Sequence, residues 1–373
     1  MPPSQQNPRL PRPPDKRLCC FLVITLMLLT RCTGAPGIHQ AAPRRHSSDR
    51  HQFLYILAGQ EVFAYRINDN GTLQKVPFNS PYLGRHPSFL AQAPGGAALY
   101  AGGIEDEYKT PSGYISRFSV SRNAALNEQK GAPAGADPSE IALGNSGQSI
   151  YILSDGFLLS LRVSPAGTYT RAMTPIMVGS SASLAASRNG RFLWVSRWQE
   201  KSVTAYQITS TGTIKPVMDL RLSKRPGRTV WHPNDKSVYI AHPDDGTVTE
   251  ITVRGKKPVL LTSSKITRGP TNLYLSVHPS GRCLFVCDAA RKRVGVISLL
   301  PDGHLTGDVR WYSCLYPYAM ILTQDGRFAY TLDPKDNLVG QFMVKNGSRL
   351  SPLKPSSVRT ADYPLSFDIC GAK

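Results

Sequence analysis

The sequence repeats one short pattern at near-regular intervals, and this repeat constrains the fold more than any other feature. In "VHPSGRCLFVCDAARKRVGVI" a polar turn precedes an apolar run, a charged loop and a second apolar run, which is typical of paired β-strands. The plan recurs at intervals of 43 to 51 residues, on the turn residues Gly96, Gly147, Gly190, Asp235, Gly281 and Gly326. An aromatic residue stands four positions after each of these turns: Tyr100, Tyr151, Trp194, Tyr239, Phe285 and Tyr330. Tyr55, which lies 45 residues before Tyr100, indicates a seventh copy.

A repeat of this length determines how the strands must be arranged. Each copy offers about four strands, and turns such as Asn70-Gly71 and Asp302-Gly303 suit tight hairpins. A single such sheet cannot bury both faces, so the copies must stack on one another, and a radial stack is a β-propeller. We therefore predict an all-β fold, a seven-bladed β-propeller of four-stranded antiparallel blades over residues 51–373. An ordinary β-sandwich is the alternative, but it does not need seven registered copies.

The two ends of the repeat region predict how the ring closes. Residues 52–76 hold only the last three strands of a blade, whereas the tail "YPLSFDI" (Tyr363–Ile369) resembles an entry strand with no hairpin after it. We expect the tail to supply the missing strand of the first blade. The ring would then be closed by the C-terminal strand, which leaves no free edge for aggregation.

The N-terminal segment predicts export. A basic start, the apolar stretch "LCCFLVITLMLL" and the small residues after it are typical of a secretory signal, and the stretch is shorter than the roughly 20 residues of a membrane span. We predict a signal peptide or N-terminal anchor at residues 1–35 and a disordered linker at residues 36–50. The protein would be periplasmic or extracellular, attached to a membrane only through this leader, with lipidation at Cys32 as an alternative.

The distribution of charge and the spacing of the cysteines limit which classes of ligand the chain is expected to bind. The chain carries a net charge of +19, but its basic residues are spread without interleaved aromatic stacking motifs. We expect no nucleic-acid binding, and instead a small anionic or sugar-derived ligand or a partner protein, with the chain monomeric. Cys283 and Cys287 lie roughly 13 Å apart along one strand, too far to bridge each other, and could pair with Cys314 or Cys370 only if neighbouring strands allow it. Zinc spacing is absent, so we expect neither metal nor cofactor.

Whole repeats carry a family resemblance. The stretches "HPSGRCLFVCDAARKRVGVI", "QDGRFAYTLDPKDNLVGQF", "RINDNGTLQKV" and "LLPDGHLTGDV" belong to repeats that together cover about residues 51–370. They resemble the seven-bladed β-propeller lactonase family, which includes bacterial 6-phosphogluconolactonase. The resemblance implies a metal-independent hydrolase of carbohydrate metabolism that opens a sugar or organic-acid lactone in the propeller channel.

At several strand entries this chain carries residues that differ from those of the lactonase family. A family "GPRH" falls at Arg225–Arg228, which reads "RPGR", and a family Glu falls at Pro243. A His-bearing entry falls near Ser139–Glu140, and an Arg-His entry falls around Tyr318. Because these side chains differ, a second hypothesis stays open, a non-catalytic exported propeller that binds a ligand or a partner protein.

Lactone hydrolysis needs a base to activate water and cations to hold the oxyanion and any phosphate. As catalytic candidates we take His242 and Asp244 in "AHPDDG", together with Glu105. As substrate-binding candidates we take Arg228 at a strand entry and Arg197 in a hairpin loop. The alternatives are that "HPDDG" is ordinary turn chemistry and that both arginines are surface residues.

Two kinds of repeated residue are predicted to be structural. His232 and His278 occupy the same place in two repeats, and no single site can use both. Asp288 and Asp333 likewise recur after the aromatic strand, where aspartates commonly bond loop backbone.

Overall fold

Apolar strands and polar turns alternate along the chain as the repeat predicts. The computed structural model describes residues 51–371 except 85, 97, 106–111, 130, 145–146, 165 and 255–256. A 3-10 helix (Ala289–Arg291) precedes the third strand of blade 6. In chain order the strands are, in blade 1, β1 (Gln52–Ala58), β2 (Glu61–Ile67) and β3 (Leu73–Lys75); in blade 2, β4 (His86–Gln92), β5 (Ala98–Ile104), β6 (Gly113–Val120), β7 (Leu126–Glu128) and β8 (Ala132–Gly135); in blade 3, β9 (Pro138–Leu143), β10 (Ser149–Ser154), β11 (Phe157–Val163), β12 (Tyr169–Arg171) and β13 (Ile176–Met177); in blade 4, β14 (Ser181–Ala186), β15 (Phe192–Arg197), β16 (Ser202–Ile208) and β17 (Ile214–Arg221); in blade 5, β18 (Thr229–Trp231), β19 (Ser237–His242), β20 (Thr247–Arg254) and β21 (Lys257–Lys265); in blade 6, β22 (Leu273–Val277), β23 (Cys283–Asp288), β24 (Arg293–Leu299) and β25 (Leu305–Ser313); in blade 7, β26 (Ala319–Leu322), β27 (Phe328–Asp333), β28 (Leu338–Lys345) and β29 (Arg349–Arg359); and finally β30 (Pro364–Gly371).

The strands form seven antiparallel sheets, which confirms the predicted propeller. Each sheet has four strands in sequence, and in blades 2 and 3 the short strands β8 and β13 also pair with the third strand. The first strand of every blade packs against the first strand of the next, so that β30, β4, β9, β14, β18, β22 and β26 form a ring around the central channel.

The C-terminal strand closes this ring, as predicted from the chain ends. Strand β30 pairs antiparallel with β1, from Gln52 opposite Gly371 to Leu57 opposite Ser366. Phe367 and Cys370 are fully buried on this strand. Strand β30 therefore completes the sheet that β1 begins.

The repeated aromatics explain why the blades stay in register. The hydroxyl of Tyr330 in blade 7 donates to the carbonyl of Gly71 in blade 1 at 2.7 Å, and Tyr151 in blade 3 donates to Gly212 in blade 4 at 3.3 Å. Tyr239 makes the equivalent bond to the next blade. Each of these rings is buried, and each hydroxyl reaches the turn before the fourth strand of the neighbouring blade.

The repeated histidines are structural, as predicted. His232 Nε2–H donates to the carbonyl of Gly281 in the next blade at 2.8 Å, and His278 makes the same bond to Gly326 at 3.1 Å. Gly281 has a positive φ of 73°, and a Cβ there would come within 2.6 Å of the His232 ring. Glycine therefore permits the turn and also the close approach of the histidine.

The repeated aspartates behave in two ways. Asp333 accepts backbone N–H groups from Tyr316, Lys335 and Asp336, as predicted. Among the residues that the structure describes, none donates a backbone N–H to the Asp288 carboxylate. It accepts the hydroxyls of Thr267 and Thr271 and pairs with Arg291 and Arg293, because hydroxyl and guanidinium groups surround it at this turn.

The cysteines in the described residues are all free thiols: Cys283, Cys287, Cys314 and Cys370. The pairings left open by their spacing are therefore not made. The predicted leader, the linker and Cys32 lie outside the described residues. Within residues 51–371, as far as they are described, no helix is long and apolar enough to cross a membrane.

Candidate active site in the central channel

Strand direction brings the sequence-predicted residues to one face of the ring. The first strands of all blades run in the same direction, so they begin at one face, which we call the entry face. The loops between second and third strands return to this same face. Arg228 directly precedes β18, and Arg197 and His242 end β15 and β19. Asp244 and Glu105 follow in the loops after β19 and β5.

A buried ion pair lies inside the ring below this face. Arg228 Nη1 contacts Glu140 Oε1 at 2.6 Å, and both side chains are only 4% exposed. Glu140 Oε2 accepts the backbone N–H of Leu184 at 2.7 Å. Burial raises the pKa of Glu140 to about 8, against the opposing effects of Arg228 and the Leu184 N–H. The pair joins strand entries in blades 3 and 5 that are 88 residues apart in the chain.

A second buried carboxyl, Asp368 on the closing strand, lies near this pair. Its Oδ2 accepts the backbone N–H of Gln92 at 2.6 Å, and its Oδ1 accepts the N–H of Ile369 at 2.7 Å. Burial raises the pKa of Asp368 to about 7, although these two N–H groups and the charge of Arg228 lower it. A carboxyl that titrates near neutral pH inside a cleft is a candidate for proton transfer.

Two buried hydroxyls in this region have no hydrogen-bond partner among the described residues, those of Tyr274 and Thr229. The guanidinium of Arg228 lies over the Tyr274 ring, 4.9 Å from its centroid. Burial raises the pKa of Tyr274, and the charges of Glu140 and Asp368 add to that effect. Arg228, Thr229 and Ser276 line a cavity between the first strands of blades 4, 5 and 6. Because buried hydroxyls are normally bonded, these two groups could bind a ligand in the channel.

The structure does not bring His242 and Asp244 together as a hydrogen-bonded pair. His242 is 1% exposed, with Nδ1–H donating to the Arg225 carbonyl at 3.1 Å and Nε2 bonded to the Thr249 hydroxyl at 2.7 Å. Burial lowers the pKa of His242. Asp244 instead accepts from Arg225 Nε at 2.8 Å, because the loop directs it toward that guanidinium, which lies over the ring of Trp198.

The other two predicted residues lie nearer the solvent. Glu105 is exposed at the end of blade 2, and its backbone N–H bonds the Ser112 carbonyl at 3.0 Å. Arg197 pairs with Asp219 at 2.5 Å on the outer side of blade 4. Across the described residues no cluster of His, Cys, Asp and Glu could hold a metal ion.

Three residues of this group were absent from the sequence-predicted candidates, namely Glu140, Asp368 and Tyr274. Each lies on the first strand of its blade, and each carries a polar atom within an apolar run: "PSEIAL", "PLSFDICG" and "LYLSV". An acidic residue inside an otherwise apolar first strand is the signal that could have identified the two carboxyls, because such strands face the channel.

The fold and this site define a class: a closed seven-bladed propeller with ionisable side chains meeting in its channel. A family model described as "Lactonase, 7-bladed beta-propeller" matches residues 98–229. The chain is 24% identical over 283 residues to the 6-phosphogluconolactonase of Pectobacterium atrosepticum, covering 69% of this chain and 82% of that one.

Solved structures of two similar proteins have the same fold. A putative 6-phosphogluconolactonase from Bacteroides fragilis superposes with a TM-score of 0.72 at 15% identity, covering 87% of this chain and 99% of that one. The periplasmic gluconolactonase of Pseudomonas aeruginosa superposes with a TM-score of 0.71 at 14% identity, covering 87% and 100%. By sequence the chain resembles the seven-bladed β-propeller lactonase family, and these solved structures share its fold.

Proposed function

We propose that the protein is a lactonase-type hydrolase that opens a sugar or organic-acid lactone in the central channel. One observation carries the proposal. Ionisable side chains from blades 1, 3 and 5 converge inside the ring, and the pKa of one of them, Asp368, is about 7. An active base must be largely deprotonated yet still basic at working pH, and a pKa near 7 meets both demands.

Asp368 would act as the general base. It takes a proton from a water molecule, whose oxygen then attacks the lactone carbonyl carbon. When the ring C–O bond breaks, the departing ring oxygen takes the proton from Asp368 and becomes a hydroxyl. The product is a hydroxy acid, and Asp368 returns to its starting state. Each Asp368 oxygen accepts one backbone N–H and keeps a further lone pair for this role.

Arg228 and Tyr274 would stabilise the negative charge that develops on the carbonyl oxygen. A guanidinium and a hydroxyl that face this oxygen in a buried site stabilise the tetrahedral intermediate more strongly than water does. Glu140 would position the guanidinium through the 2.6 Å contact. The proposal thus keeps the ligand-binding role predicted for Arg228.

The roles predicted for His242, Asp244, Glu105 and Arg197 stay predictions. The geometry favours Asp368 over His242 as the base, because both ring nitrogens of His242 are already bonded within the protein.

A second function, ligand or partner binding without catalysis, is favoured by one feature of the channel. Both carboxyls accept backbone N–H groups of a neighbouring first strand, Asp368 from Gln92 and Glu140 from Leu184. First strands lie at the edge of each sheet, and these two N–H groups face the preceding blade, so the bonds stabilise the ring whether or not the channel is catalytic.

Two tyrosine variants separate these functions. The buried Tyr274 hydroxyl has no hydrogen-bond partner in the part of the chain that the structure describes, whereas the Tyr330 hydroxyl joins blade 7 to blade 1. Tyr274→Phe should lower kcat about a hundredfold, in line with the loss of one oxyanion donor, and leave the melting temperature unchanged. Tyr330→Phe should do the reverse, keeping kcat and losing about 1 kcal/mol of stability.

The assay is hydrolysis of a panel of lactones, corrected for spontaneous opening. If the parent exceeds the spontaneous rate on no lactone, the hydrolase proposal is wrong and the binding function takes its place. If Tyr274→Phe retains the parent's kcat, the hydrolase stands but the oxyanion assignment fails.

We also propose that the protein is exported. The support is the basic and apolar N-terminal sequence, together with the similarity to a structure that is described as a periplasmic gluconolactonase.

A further inference from the structure

We infer that the cavity between the first strands of blades 4, 5 and 6 binds a short-chain carboxylate, with its anionic end at Arg188. This binding does not depend on the proposed function, since it would occur whether or not the channel hydrolyses a lactone. Arg188 follows β14, and the first strands end at the face opposite the entry face. The carboxylate group would therefore lie at that opposite end of the channel.

Arg188 is a cation without an anionic partner. It lines the cavity, and no described residue forms an ion pair with its side chain. One guanidinium nitrogen, Nη2, is buried and has no hydrogen-bond partner among the described residues. The Asp235 carboxylate instead accepts the backbone N–H groups of Arg188 and Asn189, at 2.6 and 2.9 Å. Because charged groups are costly to bury without a partner, an anion bound at Arg188 would be stabilised there.

The charge of Arg188 is only partly offset by Asp235. Burial raises the pKa of Asp235, and the two N–H groups and the charge of Arg188 oppose that rise. The two side chains therefore attract each other without forming an ion pair. A ligand with one negative charge fits this balance better than one with several, because Asp235 would repel each further charge.

A second cation, Arg228, lines the same cavity but is less accessible. Its side chain is only 4% exposed and contacts Glu140 at 2.6 Å. Arg188 is partly exposed, so an anion that enters from solvent at this end can reach its guanidinium. A planar carboxylate can accept two parallel hydrogen bonds from such a group.

The walls of the cavity favour a ligand with an apolar body. They include Ala142, Ala185, Ala186, Val230 and Trp231. The indole N–H of Trp231 already donates to the Ala185 carbonyl, at 3.0 Å. The cavity has a volume of about 70 Å³, which is room for roughly five water molecules. Inorganic phosphate would leave the apolar walls uncovered, whereas the hydrocarbon part of a short carboxylate would cover them.

The test is a calorimetric titration of the protein with acetate, propanoate and butanoate. The Kd should fall about fourfold with each added methylene, because each one buries further apolar surface. Butanamide, which has nearly the same shape without the charge, should bind at least about tenfold more weakly than butanoate. No detectable binding of butanoate would overturn the inference, and so would inorganic phosphate binding as tightly as butanoate.

Two arginine variants locate the bound carboxylate. Arg188→Gln should weaken butanoate binding at least about tenfold, since a charge-assisted contact is lost. Arg191→Gln is the matched control, because it makes the same change at an exposed residue of the same turn, outside the cavity, and should bind as the parent does. Both variants should keep the parent's melting temperature, since Asp235 contacts the backbone N–H of residue 188 rather than its side chain. Unchanged butanoate binding in Arg188→Gln would show that the ligand binds elsewhere and that the inference is wrong.

Discussion

Closure of the ring by the C-terminal strand should make Phe367 one of the most sensitive positions for stability. Its side chain is fully buried on β30, where it packs with the core shared by blades 1, 6 and 7. Replacing a buried Phe by Ala costs about 3–5 kcal/mol, from lost transfer free energy and from the cavity that remains. Domains are stable by about 5–15 kcal/mol, so Phe367→Ala should remove a large fraction of the total.

The measurement is thermal unfolding of the parent, Phe367→Ala and a control, Tyr363→Ala. Tyr363 lies directly before the same strand but is 74% exposed, so its replacement should change stability by less than about 0.5 kcal/mol. We expect Phe367→Ala to melt roughly 6–20 °C below the parent, at about 2–4 °C for each kcal/mol. Deleting Tyr363–Lys373 should leave an unfolded or aggregating protein. A truncated monomer with the parent's melting temperature would refute closure by this strand.

Three further predictions concern protons and export. The kcat/KM of the parent should rise with pH through an apparent pKa of about 7, because Asp368 must be deprotonated, and Asp368→Asn should lose this rise. Burial raises the pKa of Asp368 from 3.8, so its contribution to stability is full below about pH 4 and is lost as the pH rises through about 7. The melting temperature should therefore fall between about pH 4 and 7, and less so in Asp368→Asn; an equal fall in both proteins would contradict the assignment. Expression in a bacterial host with the leader intact should place the protein beyond the inner membrane, shortened near residues 30–36, and full-length protein found only in the cytosol would show that the leader does not direct export.

The fold could be predicted because its determinants are local and repeated. Six copies carry a turn residue, which is glycine in all but one, with an aromatic four residues later. The structure gives the aromatics a reason, since the hydroxyls of Tyr151 and Tyr330 reach a turn of the next blade. Ring closure followed from counting strands, since the first blade lacked one and the tail offered one.

The site was harder to predict because its members are far apart in the chain. Glu140 and Arg228 are 88 residues apart, and Asp368 joins them only when the ring closes. His242 and Asp244 were predicted to form a pair because they lie close together in "AHPDDG". In the structure, each of these two side chains is hydrogen-bonded to a different residue. His242 turns inward to Thr249, and Asp244 turns outward to Arg225.

The most direct test of the central claim is a crystal structure of the protein with a neutral lactam that mimics the six-membered lactone but does not open. The account predicts the lactam inside the ring, its carbonyl oxygen within hydrogen-bond distance of the Arg228 guanidinium and its carbonyl carbon facing Asp368. A lactam seated instead against Glu105 or Asp244 at the outer rim, with Arg228 and Asp368 untouched, would contradict it.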